Sequence, residues 1–236
     1  MPTGVQFTGF ELPFMTLIVK YIRERFNPIL YLPLALLLIL TGFRTLFTES
    51  QLFQEFSLRF PIALLLLLQF RLFDDLLSLP TDRQLTPVRI TCIKGHGVIF
   101  WRWFFIIGAT TLLLVAFLWG LQKFIVLFLL ALFYLIIYRS KDYFSPLPFS
   151  LLILTKYPVI SYLVSDLKLL PPRPIRLEIL LLLAIYLTTI IYEAFHDRTH
   201  RQDKAFLYTA LFAGGLLLAL VGFALFNFAF QTTVGL

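Results

Sequence analysis

The stretch Arg59–Gln84, RFPIALLLLLQFRLFDDLLSLPTDRQ, passes from a leucine run into Asp74, Asp75 and Asp82 within a few residues. Its first half reads as a membrane helix. Its second half places charge where lipid makes charge expensive, and such residues mark function more often than decoration. The rest of the chain supports the membrane reading. Of its 236 residues 59% are hydrophobic and 14% charged, more apolar surface than a soluble core of that size can hide. Mean hydropathy is +0.88. Apolar runs near the ~20 residues needed to cross a bilayer recur along the sequence. They are continuous, without the alternation of a lipid-facing barrel strand, so helices must satisfy the backbone. The expected fold is an all-α polytopic transmembrane bundle, with residues 1–236 forming a single domain.

Spans bounded by charge are expected at roughly 28–47, 58–73, 98–118, 121–138, 149–165, 177–192 and 205–230. The second is expected to continue as a helix through Phe53–Leu77. Lys156 and Pro158 interrupt the fifth, which makes it the weakest. Consecutive prolines make Leu170–Pro174, LPPRP, a rigid connector. Gly214–Gly222, GGLLLALVG, offers small residues for close packing of the last span. The N-terminal segment carries Glu11 and lacks a basic start and a small-residue cleavage site, so no cleavable leader is expected. With Cys92 the sole cysteine, an internal disulfide and a sulfur-ligated metal are excluded.

The net charge of +7 comes from dispersed basic residues rather than a stripe, so no nucleic-acid partner is expected. With the N-terminus inside, Lys20, Arg23, Arg25, Arg71, Arg83, Arg89, Lys94, Arg102, Arg139, Lys141, Arg198, Arg201 and Lys204 share the cytoplasmic side. Arg44, Arg59, Lys123, Lys168, Arg173 and Arg176 take the other. Thirteen against six places the N-terminus in the cytoplasm of a multi-pass protein of the cell's inner membrane. Asp74–Asp82 follows the second span and Tyr192–Lys204, YEAFHDRTHRQDK, follows the sixth. Both acidic clusters are therefore expected on one side.

Aspartates on loops without cysteine are hard oxygen ligands suited to Mg²⁺ or Ca²⁺. At 100° per residue Asp75 and Asp82 would fall on one helical line, with Asp74 beside it. Pro80 is expected to end that helix and leave Asp82 in the following loop. Glu193 and Asp197, four apart, stack on one helix face. The bland alternative is that these acids are span-end charges paired with neighbouring arginines. His196 and His200 share a face but lack a third zinc ligand, and His96, between glycines, reads as a turn residue.

RLFDDLLSLPTD resembles the first aspartate-rich motif of the UbiA superfamily of intramembrane prenyltransferases. Arg71 takes the place of the motif's arginine, Asp74 and Asp75 of its leading pair, and Asp82 of its last aspartate. Ser78 stands where the middle aspartate is expected. YIRERFNPIL, Tyr21–Leu30, is similar to the family's basic opening of the first helix. YRSKDY matches its Y-x-x-K segment through Tyr138 and Lys141, and YEAFHD its second acidic motif through Glu193 and Asp197.

The resemblance implies Mg²⁺-dependent transfer of a polyprenyl group from its diphosphate to an aromatic or other lipophilic acceptor. It also implies roles. Asp74, Asp75, Asp82, Glu193 and Asp197 would hold the metal, and Arg25, Arg71 and Lys141 the diphosphate. Asp75, Asp82, Lys141 and Tyr138 would serve the chemistry. The abundant phenylalanines would line a tail channel. The alternative is a non-catalytic UbiA-like subunit or lipid-binding scaffold, with membrane lipid and a membrane protein as partners. A CDP-alcohol phosphotransferase ranks below both, because its D-x-x-D-G pattern is missing.

Overall fold

The structure is a computed structural model and describes residues 14–40, 49–85, 87–93, 95–165, 175–196 and 203–234. Among these, every regular element is helical. The helices are α1 (Phe14–Arg25), α2 (Pro28–Leu40), α3 (Glu49–Leu77), α4 (Leu79–Leu85), α5 (His96–Trp119), α6 (Leu121–Arg139), α7 (Pro146–Leu154), α8 (Lys156–Val164), α9 (Ile175–His196) and α10 (Lys204–Val234). Short 3₁₀ turns at Ile90–Cys92 and Lys141–Tyr143 complete the set.

Five stretches are long and apolar enough to cross a membrane: Phe53–Leu77, His96–Trp119, Leu121–Arg139, Pro146–Val164 and Lys204–Gly222. Pro28–Ile39 and Ile179–Phe195 are shorter apolar helices at the first and sixth expected spans. Residues 41–47 and the connector at 170–174 lie outside the described residues. This is the build of a multi-pass membrane protein. Phe105, Leu113, Phe117 and Leu218 point outward, as they should where the solvent is lipid.

The centre is α3. Its Ala63, Leu66, Leu67 and Phe70 are buried with Ala35 and Leu38 of α2, Ile160 and Leu163 of α8, and Ile185 and Ile190 of α9. α3 also packs on α5, where the close approach falls at Gly108: an added Cβ would meet the Gln69 Nε2 at 2.9 Å. Small residues let the backbones come this near. α1 is amphipathic instead of apolar. Leu17 and Tyr21 bury against Leu72, Leu76, Ile90 and Phe100, while Lys20, Arg23 and Glu24 face outward.

Two breaks shape the cavity. The first corrects the expectation for Asp82, which stands on α4 and not in a loop. Ser78 N donates to Asp74 O at 3.0 Å and Asp82 N to Ser78 O at 2.9 Å, so the chain re-enters a helix at once. Pro80 falls in the first turn of α4, where its missing N–H belongs to the group that no helix satisfies internally. The second break is at Thr155, between α7 and α8. Pro158 cannot donate to the Leu154 carbonyl, and the chain resolves the fault from a neighbouring helix. Tyr134 of α6 donates its hydroxyl to the Ile153 carbonyl and accepts from Lys156 N at 3.0 Å. Irregular backbone at membrane depth survives where protein groups cover it in this way.

At the other end of α8, Arg59 Nη1 donates to Val164 O at 2.7 Å, and Lys123 Nζ to Leu163 O at 2.9 Å and to Ser165 O. Two buried cations thus sit on the carbonyl end of that helix, the end that attracts positive charge.

Candidate functional site

At the end of α3, residues 71, 74 and 75 and the Ser78 just beyond it are spaced i, i+3, i+4, i+7 and so share one face. That face forms a wall of a cavity of about 550 Å³. Arg25 enters from α1, Tyr31 and Leu34 from α2, Tyr138 from α6, and Phe149 and Ile153 from α7. Lys156 and Tyr157 line it from α8, and Tyr192 and Glu193 from α9. Helices far apart in sequence therefore bring Arg25, Arg71, Asp74, Asp75, Tyr138 and Glu193 to one place. Asp82 and Lys141 are not among the lining residues. Asp82 pairs with Arg89 at 2.6 Å and accepts from Ser78 Oγ at 3.2 Å, while Lys141 opens the 3₁₀ turn after α6. Asp197 and His200 lie outside the described residues.

Asp75 is 2% exposed. Arg25 grips it in a fork, Nε to Oδ2 at 3.0 Å and Nη2 to Oδ1 at 2.5 Å. Arg71 Nη2 stands 3.2 Å from Oδ1, and the Tyr21 hydroxyl donates to Oδ2 at 2.9 Å. Burial, with this carboxylate beside it, holds the Tyr21 hydroxyl well above the ordinary tyrosine range, so Tyr21 remains a donor. Asp74 accepts from Tyr138 at 2.6 Å and pairs with Lys156 Nζ at 2.5 Å. Glu193 Oε1 accepts from Tyr157 at 3.4 Å, the loosest of these contacts.

Lys156 is the residue that sequence reasoning missed. It is 7% exposed and sits on a helix that has no acidic residue. In the sequence it registers only as a flaw in the weakest span. The usable signal was its isolation, because a lysine at membrane depth requires an anion from another helix.

Asp74 and Asp75 carry ion pairs in place of open donor positions, whereas Glu193 accepts only from Tyr157 among the described residues. Among the described residues no group of three or more His, Cys, Asp or Glu could hold a metal ion. Mg²⁺ asks for near-octahedral oxygen, and here three cationic side chains already occupy Asp74 and Asp75. As arranged, Asp74 and Asp75 do not present that donor set to an ion.

Along α3 the lining runs Leu67, Phe70, Arg71, Asp74, Asp75, Ser78, from apolar to charged over about 16 Å at 1.5 Å per residue. Such a cavity suits a molecule with an anionic head and a hydrocarbon tail. His96, by contrast, opens α5 with its Nδ1 3.0 Å from Ile90 O, a contact that ties the preceding turn. No protein-family model, no curated protein and no solved structure matches the chain.

Proposed function

We propose that this cavity takes a prenyl diphosphate and that the protein is a UbiA-like prenyltransferase acting on an aromatic or other lipophilic acceptor. The observation that carries the reading is the polarity of the α3 wall, with Arg71, Asp74 and Asp75 beyond Leu67 and Phe70 in a single cavity. The tail would lie against Leu30, Leu34, Leu67 and Phe149, and the head against Arg25, Arg71 and Lys156. Heterolysis of the allylic C–O bond sends its electron pair to the departing diphosphate, whose charge these cations take up. The carbocation is then attacked by an electron-rich carbon of the acceptor, which afterwards loses its proton. Tyr138, held on Asp74, faces the same space. In this reading the cavity opens toward the cytoplasm of the inner membrane, and the N-terminus lies on that side.

A second reading, a lipid-binding scaffold without catalysis, is favoured by the closure of Asp75 under two guanidiniums and by Ser78 in place of an acid. One assay separates them. Purified protein is incubated with prenyl diphosphates and a lipid extract, with and without Mg²⁺, and pyrophosphate is measured. Release in either condition supports transfer. Binding without release supports the scaffold, and absence of binding removes both readings.

A further inference from the structure

We infer that Arg25, Arg71 and Lys156 grip a phosphate oxyanion directly, without a bridging metal ion, and that Asp75 and Asp74 are resident counter-ions for these cations. The inference rests on the proposed reading for the ligand's prenyl tail, and on the cavity alone for its head.

The geometry of Asp75 comes first. A carboxylate that is to bind a divalent cation must present a lone pair away from other positive charge. Asp75 presents its oxygens to two guanidiniums and a phenol. A metal ion arriving there would approach Arg25 and Arg71 as well, and like charges at such range repel strongly in a low-dielectric site. Drawing Asp75 away would strand both arginines.

The cations, in turn, are not exhausted by the acids. An arginine carries more N–H donors than one carboxylate can use, and an ammonium has three protons to give. Arg71 reaches Asp75 through Nη2 alone, and its Nε is buried without a hydrogen-bond partner among the described residues. Native proteins seldom leave such a donor unmet. It belongs to a side chain that lines the cavity, and an oxyanion is its natural complement. Lys156 directs one contact at Asp74 and lines the same space from the first turn of α8. That turn is the positive end of the helix, so its dipole adds to the pull on an anion.

Asp75 then has a definite role. Without an anion, two half-buried guanidiniums need a partner, and Asp75 supplies it. When a phosphate enters, it competes with Asp75 for the same donors. Removing the negative charge of Asp75 should therefore tighten anion binding, the opposite of what a metal ligand would do.

The test measures binding of inorganic pyrophosphate and of geranylgeranyl diphosphate to the full chain in detergent, by calorimetry, in EDTA and in Mg²⁺. Both probes are expected to bind in EDTA. Arg71→Gln and Lys156→Gln should each weaken binding roughly tenfold, the worth of one charge-assisted hydrogen bond. Asp75→Asn should strengthen it severalfold; should that variant not fold, Asp74→Asn, which releases Lys156, is expected to do the same. Binding that appears only with Mg²⁺ and vanishes in the Asp→Asn variants overturns the inference and leaves the prenyl diphosphate reading standing. Pyrophosphate bound in EDTA with no gain from the geranylgeranyl tail leaves the inference standing and removes that reading. Failure of both probes in both conditions overturns both.

Discussion

At Asp75, two guanidiniums and a phenol converge on one carboxylate that solvent barely reaches. Removing one partner of a buried ion pair leaves the others charged and uncompensated. Asp75→Ala is expected to cost about 3–5 kcal/mol of stability, measured by thermal or denaturant unfolding in detergent. Arg25→Ala made together with it should cost less than the sum of the two single changes, because the pair acts as a unit. Tyr134 makes a different point. Its hydroxyl serves the broken backbone between α7 and α8 on both sides, so Tyr134→Phe orphans the buried Lys156 N–H and takes a donor from the Ile153 carbonyl. A loss of about 1–3 kcal/mol is expected by the same measurement. Neither role could be read in the sequence. Tyr134 looked like one aromatic among many on an apolar helix, and the fault it repairs lies some twenty residues further on.

Among the elements, α1 has few polar ties to the rest of the described residues. Its polar ties are Arg25 and Tyr21 to Asp75 and the Ile90 N–H to Glu24 Oε1 at 3.4 Å. Arg25→Gln combined with Tyr21→Phe should loosen it. The expected readout is faster tryptic cleavage after Lys20 and Arg23, with α3 still protected. The turn into α5 depends on Gly95, whose φ of +87° lies in the left-handed region. Gly95→Ala is expected to cost about 1–2 kcal/mol, the penalty a Cβ meets there. At this scale the sequence was largely legible. Apolar runs announced the helices, and the helix expected over Phe53–Leu77 ends at Leu77 and starts one turn earlier, at Glu49. The breaks were less legible. Pro80 was read as a terminator because proline stops the helix it interrupts, yet at the start of α4 it merely opens the next one. Lys156 was hidden for a related reason: hydropathy counts a buried lysine as damage to a span, and only the folded chain shows Asp74 beside it.

For the whole molecule, the helix directions give the bundle two unlike ends. The cavity end collects the C-terminal turns of α3, α6 and α9, the first turns of α2 and α8, and the middle and end of α7. The segments at Gln84, Asp142 and Asp203 follow or precede these turns, whereas Gln122 lies at the far end. Single cysteines placed at Gln84, Asp142 and Asp203 should react with an impermeant thiol reagent from one side of the membrane, and one at Gln122 from the other. Cys92 is buried and should contribute little background. Labelling of Gln84 and Asp203 from opposite faces would dismantle the cavity. The meeting of Asp74 and Asp75 with Glu193 was legible from counting spans, since helices that cross in alternation return every second loop to the same side. Asp82 and Lys141 were not separable from the cavity on that basis, because a loop's side of the membrane says nothing about its depth.

The cations at the far end of α8 bear on the near end. An isolated helix of that length presents opposite partial charges at its two tips, and at a distance of a few turns each largely cancels the other's field. Here Lys123, and Arg59 with its Glu55 partner, cover the carbonyl tip, so the negative half of the dipole is weakened where it arises. Electrically α8 becomes lopsided, and the tip carrying Lys156 faces the cavity with less opposing field behind it. Two buried charges about 12 Å away along the helix thus help set the potential that a ligand in the cavity meets.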